Sequence, residues 1–577
     1  MPSESPAAKA KTPASAKQAS PESNVKDTVE SILVAFILAF IFRAFVVEAF
    51  VIPTGSMAPT LMGAHMHFRC PDCGYQFDVN FNNNPSGSDE VDIPNYAQTL
   101  GGEPLTYDNL PGNDNPVLHC PNCGREIPRN NPADPDNDAI SPPVYYGDRI
   151  LVLKYLYLFQ APHRWDVVVF KAPNEKGRNY SENYIKRLVG LPGETIVVLD
   201  GDVYLVDPAT GEYKIQRKPY SVQRDLWRIV YDNDFVPQNM TAGLVPLQSR
   251  IAAWQQPWKP ESTTSGWTLT TTGPDGKPLP DPDKNPSRVF TFNNATGQGT
   301  LKFDASANEE THALTDWLGY DQIGNRSTLN PVSDLKLSCF YERRAGDGAF
   351  SLELTKRHDV FTAEITRGQA RVLDTDDRTG ATTVLATVKV PDLDGPGPAQ
   401  IEFANCDYRV WLRVNDKEVF QTTDAQYHPD TDDLLKHWLD ELPMPTVRLL
   451  AEKQDCRIEH LSLWHDIYYI NHDPQHRIIW ATPEQPMVLK ADPKEYFVMG
   501  DNSPISGDAR MWTDDVHLPA EMLDVKAGRV PEQFMLGKAF FVYWPAGYRP
   551  FSKTIDRKYP VPNPGIIPDF GDMRSIH

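Results

Sequence analysis

Hydrophobic and polar positions fall into three textures along the 577 residues. An unbroken apolar run at 32–42 comes first, then long stretches of two-residue alternation, with tracts rich in Pro, Asn, Asp and Gly between them. Alternation bounded by turn residues predicts strands at 146–152, 164–170, 183–190 and 201–206, and again at 496–502 and 536–545. Between these groups, residues 334–342, 348–354, 360–365, 370–373, 383–390, 400–402, 408–414 and 418–421 alternate in the same way. Short strands of this kind separated by polar turns predict an antiparallel β-sandwich, so the expected class is mainly β.

Length and composition add organisation. A chain this long exceeds one core and implies roughly three or four domains. With 40% hydrophobic residues it can bury substantial cores, and its 52 prolines favour loops and edge strands over helical bundles. A net charge of −21 argues against a nucleic-acid partner, because nothing offsets phosphate repulsion at long range. Residues 1–24, rich in Ala, Ser, Pro and Lys, are expected to be disordered.

Residues 25–48 are expected to form a transmembrane helix. The apolar run is only eleven residues, but adding 44–47 with Arg43 snorkelling brings it close to the ~20 that a span needs. A cleavable signal peptide is the competing reading; against it, no small-x-small site follows the run. Lys9, Lys11, Lys17 and Lys26 precede it, which favours a cytoplasmic N-terminus and places the rest outside the cytoplasm. No second span is expected.

Two near-identical knuckles, Cys70-Pro-Asp-Cys73-Gly and Cys120-Pro-Asn-Cys123-Gly, mark a zinc-ribbon-like unit at 69–143. Each Cys-x-x-Cys lets two thiolates converge on one ion, and two knuckles complete a tetrahedral set for a structural zinc with no open position. A pair of disulfides is the alternative outside the cytoplasm.

Immediately after the apolar run, Ser56 sits between Gly55 and Met57 in a loop pinned by Pro53 and Pro59. Proline fixes φ and glycine opens backbone paths closed to other residues, a combination that can present one hydroxyl at a fixed angle. Far downstream, a strand at 183–190 would place Tyr184, Lys186 and Leu188 on one face. Desolvation there disfavours an ammonium and suits a general base. The pattern alone leaves open whether Lys186 or Arg187 points inward.

Four blocks taken in order resemble the type I signal peptidases, membrane-anchored Ser/Lys proteases: Ser56-Met-Ala-Pro-Thr, Gly147-Asp, Lys186-Arg-Leu-Val-Gly-Leu-Pro-Gly and Gly500-Asp-Asn. The resemblance covers about 45–70, 144–206 and 485–545, and no cofactor is implied for catalysis. It implies Ser56 as nucleophile, Lys186 as general base, and the Ser56 N–H with the Thr54 hydroxyl as oxyanion hole. Ser506 would orient the lysine, and Asp508 and Arg510 would brace the site. Phe50, Ile52, Leu61, Tyr184 and Ile185 would line two apolar substrate pockets that admit small side chains. The substrates implied are signal-peptide-bearing preproteins cleaved after small-x-small sites at a lipid bilayer. The chain departs from the family pattern at Ser503-Pro504-Ile505 and at Ala509, beside Arg510.

The protease core is thus expected in three pieces, 49–68, 144–225 and 476–550, separated by 69–143 and 226–475 and followed by a tail at 551–577. The 226–475 insertion resembles concanavalin A-like jelly rolls, which implies a glycan or protein partner. Of its cysteines, Cys339, Cys406 and Cys456, at most two can pair. The rival to an enzyme is a membrane-tethered scaffold with a vestigial protease core.

Overall fold

The structure is a computed structural model that describes residues 26–37, 47–81, 106–107, 117–127, 142, 144–145, 147–173, 182–237, 254–262, 265–269, 288–323, 329–395, 397–472, 477–518, 523–545 and 572–577. The tail expected at 1–24, residues 38–46 of the expected span, and most of the 551–577 tail lie outside the described residues. Residues 26–37 are helical, and among the described residues no helix is long and apolar enough to cross a membrane.

The alternating segments at the two ends of the chain build one antiparallel sheet. Its strands are β1 (Val47–Val51), β2 (Arg149–Leu153), β3 (Val167–Lys171), β4 (Asn183–Gly190), β5 (Glu495–Met499), β6 (Val530–Pro531), β7 (Met535–Trp544) and β8 (Arg574–Ser575). In space they run β1-β2-β7-β3-β4-β5-β6, with β8 on β7. This order brings chain regions hundreds of residues apart side by side. β3 reads as a continuous apolar run because clusters pack on both of its faces, Val168 and Phe170 in one and Val167 and Val169 in the other, and β5 is buried along its whole length. A smaller sheet of Met487–Val488, Thr195–Leu199, Asp202–Val206 and Tyr213–Ile215 closes one side.

The middle of the chain forms a 13-stranded sheet around its own large core cluster. A strand occupies each of the eight predicted positions, from Leu335–Gly346 to Lys417–Gln421. The two longest strands, Phe290–Phe303 and Val447–His465, escape sequence reading. The first carries Asn-Asn-Ala-Thr-Gly-Gln-Gly at its centre, which reads as a turn, and its register shifts there. The second is interrupted by left-handed residues Lys453 and His460, beside register breaks that spoil a simple two-residue period. After His465 the chain returns to the first sheet: Ile467 and Tyr469 join the cluster of Leu188, Phe497 and Met499.

Buried charges join insertion and core. The Lys218 amine contacts Asp407 and lies 2.9 Å from Asp466, while Lys356 lies 2.5 Å from Asp334 and 3.5 Å from Asp202.

Candidate active site

The loop after β1 turns sharply because Gly55–Met57 form one 3₁₀ turn, closed by the Ala58 N–H donating to the Gly55 carbonyl at 2.9 Å. All three residues of this turn are buried. Lys186 reaches the same point from β4, where it pairs with Val168 of β3. Its Nζ lies 2.6 Å from Ser56 Oγ, and Thr54 Oγ1 lies 3.4 Å from that oxygen. The amine also stands 5.7 Å from the centre of the Tyr184 ring.

The open question of which cation points inward has a two-sided answer: Lys186 is 6% exposed and Arg187 fully buried. Adjacent strand residues face opposite sides, and this sheet is covered on both. Arg187 forms a fork of two 2.7 Å hydrogen bonds to Asp501, and its Nη1 donates to the carbonyls of Trp165 and His577. Burial opposes the Arg187 charge, but Asp501 holds its pKa above the ordinary value. Nothing in the sequence assigned Arg187 or Asp501 a partner; the Gly-Asp-Asn block was the only signal.

Asp508 and Arg510 are fully buried, which excludes a plain surface ion pair. Arg510 donates to both Asp508 oxygens at 2.9 and 2.8 Å and to Ser503 Oγ and the Ile470 carbonyl at 2.8 Å. The departure at Ser503 therefore supplies Arg510 with an extra acceptor. Burial alone would raise the Asp508 pKa; Arg510, the Gly500 N–H and Lys186 hold it below the usual carboxylate value. Ser506 differs from expectation. It is fully buried, but its Oγ has no hydrogen-bond partner. The Ser506 N–H donates to the Asn502 carbonyl, and the side chain lies against Gly500, where an added Cβ would sit 2.2 Å from Oγ.

Of the residues expected to line the pockets, Phe50, Ile52, Leu61 and Ile185 gather with Met57 in one apolar cluster. Tyr184 packs on the opposite face with Phe170 and Leu188.

The cysteine knuckles come together as their spacing suggests. The Cys70 and Cys123 sulfurs are 3.7 Å apart, those of Cys73 and Cys120 3.6 Å, and all four lie within 4.8 Å of one another. Gly74 and Gly124 take left-handed φ of 78° and 73°, which closes each knuckle. No described cysteine forms a disulfide, so these four sulfurs could hold a tetrahedral metal ion.

The loop also has contacts that sequence reasoning missed. The Asn502 N–H donates to the Ser56 carbonyl at 3.1 Å, and its Nδ2 donates to the Gly55 carbonyl at 3.1 Å and to Asp321 at 2.9 Å. No motif distinguishes Asp321, which lies in an unpatterned stretch of the second insertion.

The profile of the family described as "Signal peptidase, peptidase S26" matches residues 25–72, 131–243 and 412–544, just over half of the chain. Signal peptidase I of Leptolyngbya laminosa is 35% identical over 86 residues, 14% of this chain and 42% of that protein. Signal peptidase I V of Bacillus subtilis is 39% identical over 67 residues, covering 12% and 36%. The chain thus spans less than half the length of these curated relatives. Among solved structures, the carbohydrate-binding module CBM66 of Bacillus subtilis is 13% identical, covers 34% of this chain and 95% of that one, and scores a TM-score of 0.20. A score that low carries no argument about fold or ligand.

Proposed function

The chain belongs to the signal peptidase family, peptidase S26, and on that premise we propose that it is a serine endopeptidase that removes signal peptides from preproteins with a Ser56/Lys186 dyad. The observation that carries this reading is the 2.6 Å approach of the Lys186 amine to the Ser56 hydroxyl, both residues being buried. An uncharged Lys186 takes the Ser56 proton as Oγ attacks the scissile carbonyl. The tetrahedral oxyanion is met by the Ser56 N–H and the Thr54 hydroxyl, donors that matter most when the charge develops. The resulting ammonium then gives its proton to the departing amine, leaving an acyl group on Ser56. Lys186, neutral again, takes a proton from water as that water attacks the ester, then returns it to Ser56 Oγ as the acyl–oxygen bond breaks and the signal peptide leaves as an acid.

Asp508, Arg510, Arg187 and Asp501 hold the walls of this site through buried, charge-assisted hydrogen bonds. Ser506 is assigned to the same wall. Phe50, Ile52, Leu61, Tyr184 and Ile185 form the apolar surround that selects the two small side chains preceding the cleaved bond. The site would work on the extracytoplasmic face of a bilayer, with the 25–48 segment as anchor. The four cysteines suit zinc: a tetrahedron with Zn–S of about 2.3 Å sets sulfurs about 3.8 Å apart, close to the 3.6 and 3.7 Å found. Four thiolates leave that ion no open position, so its role is structural. The inserted sheet is assigned a glycan or protein partner outside the chemistry.

The test is cleavage of a preprotein with an Ala-x-Ala site by the detergent-solubilised full chain. Loss of cleavage in both Ser56→Ala and Lys186→Ala is expected. Cleavage that survives either substitution overturns the dyad.

A further inference from the structure

The segment Gly319–Asp321 forms a 3₁₀ turn within the second insertion, hundreds of residues from Ser56 in sequence. It nevertheless packs on the nucleophile loop. Tyr320 is buried with Leu318 and Ala58, and a Cβ added to Gly55 would lie 2.5 Å from the Tyr320 ring. The glycine before the nucleophile is therefore the residue that lets the ring lie flush. Asp321 is 1% exposed, and the hydrogen bond it accepts comes from Asn502 Nδ2. Its other oxygen is buried without a partner. Burying a carboxyl on so little support costs stability, so the placement calls for a return elsewhere.

That return lies one bond further on. Asn502 uses the same amide nitrogen to hold the Gly55 carbonyl, and its N–H holds the Ser56 carbonyl. The Gly55 carbonyl and the Ser56 N–H belong to one rigid peptide plane. Whatever fixes the carbonyl also aims the N–H, and a hydrogen bond to the carbonyl polarises that N–H as a donor.

We propose that Asp321 and Tyr320 are positioning residues for the oxyanion hole, acting through Asn502 on the Gly55–Ser56 peptide. This deepens the Ser/Lys reading and rests on it. Asp321 fixes the rotation of the Asn502 amide, Asn502 fixes the peptide plane, and Tyr320 walls the plane from behind. The insertion is thereby part of the catalytic apparatus without touching the reacting atoms. The far side of the same turn is held by the cysteine unit. Gln322 exchanges two hydrogen bonds with the His119 backbone, and Gly319 backs onto Pro121.

The experiment uses the full chain in detergent and reads kcat and KM on an Ala-x-Ala preprotein peptide together with hydrogen exchange of the loop. In Asp321→Ala we expect kcat to fall about tenfold or more with KM within twofold, since a mispositioned donor is felt mainly in the transition state. Asp321→Asn, which keeps an acceptor oxygen for Asn502, recovers most of the loss. In the double variant with Asn502→Ala the two losses do not multiply, because they act on one peptide plane. Amides in 54–62 exchange faster in Asp321→Ala, while those of strand Val447–His465 are unchanged. Wild-type kcat in Asp321→Ala, fully multiplying losses, or unchanged exchange in 54–62 each overturns the proposal. Should the unsubstituted chain cleave no such peptide, the protease reading fails, and the exchange measurement still decides whether Asp321 holds the loop.

Discussion

Lys186 and Lys218 are almost equally buried, at 6% and 5% exposure, yet their amines meet different company. Lys186 faces the Ser56 hydroxyl, and the nearby Asp508 carboxylate is already engaged by both ends of the Arg510 fork and by the Gly500 N–H. Lys218 sits between Asp407 and Asp466, and Lys356 repeats the arrangement between Asp334 and Asp202. Burial disfavours the Lys218 charge, but the two carboxylates raise its pKa well above the ordinary value. The same holds for Lys356. A buried lysine thus becomes architecture when carboxylates surround it. Under the proposed dyad, one set against a hydroxyl, as Lys186 is against Ser56, serves as the base.

The sharpest way to break this comparison is the same substitution at both places. Lys186→Met is expected to abolish peptide cleavage, by about 10³-fold or more, with the melting temperature nearly retained. Lys218→Met is expected to do the reverse. It strands Asp407 and Asp466 in the interior and costs about 3–5 kcal/mol of stability, while the fraction that stays folded keeps its kcat. Denaturant unfolding and single-turnover cleavage of both variants check the contrast. Loss of stability at Lys186 equal to that at Lys218 would erase it.

Metal removal tests the other internal support. The purified chain is expected to carry about one zinc, lost in Cys120→Ser and on chelation. Because His119 and Pro121 hold the Gly319–Gln322 turn, loss of metal should also lower the melting temperature and speed exchange there. Metal-free protein with two disulfides, whose sulfurs would be about 2.05 Å apart, contradicts this.

What could be read from sequence follows from which signals are local. Ser56 is flanked by its own prolines, Cys70 and Cys73 by their own turn, and the eight short strands by their own alternation. Each carries its signature within a few residues. Asp321 and Lys218 carry none, and the Gly-Asp-Asn block does not show what Asn502 holds, because a buried polar residue is explained only by a partner. Asn502 lies 181 residues from Asp321, and Asp407 lies 189 from Lys218. The alternation also failed where function did not intervene. Lys453 and His460 adopt left-handed φ within Val447–His465 and break the period of the strand at the centre of the inserted sheet.

The smallest expected effect extends the comparison to a carboxyl without any cation. Asp316 is buried, accepts hydrogen bonds from the Asn330 N–H at 2.9 Å and Nδ2 at 2.7 Å, and has its pKa pushed up to about 7 by burial. In the unfolded chain such a carboxyl titrates near 3.9. Between about pH 4 and 7 the folded protein therefore holds a proton that the unfolded chain has released. The sign follows: this group favours folding most below about pH 4, and its contribution declines as pH rises towards 7. Asp316→Asn keeps the neutral shape and removes the titration. The melting temperature of the variant minus that of the parent should become more positive by a few degrees from pH 4 to pH 7. Taking the difference cancels the similar slopes of Asp321 and Asp466, whose pKa values burial raises to about 7 and about 6. A flat or falling difference would mean that Asp316 is ionised in the folded chain, and that its two Asn330 hydrogen bonds sustain a buried charge that elsewhere in this molecule takes a lysine or an arginine.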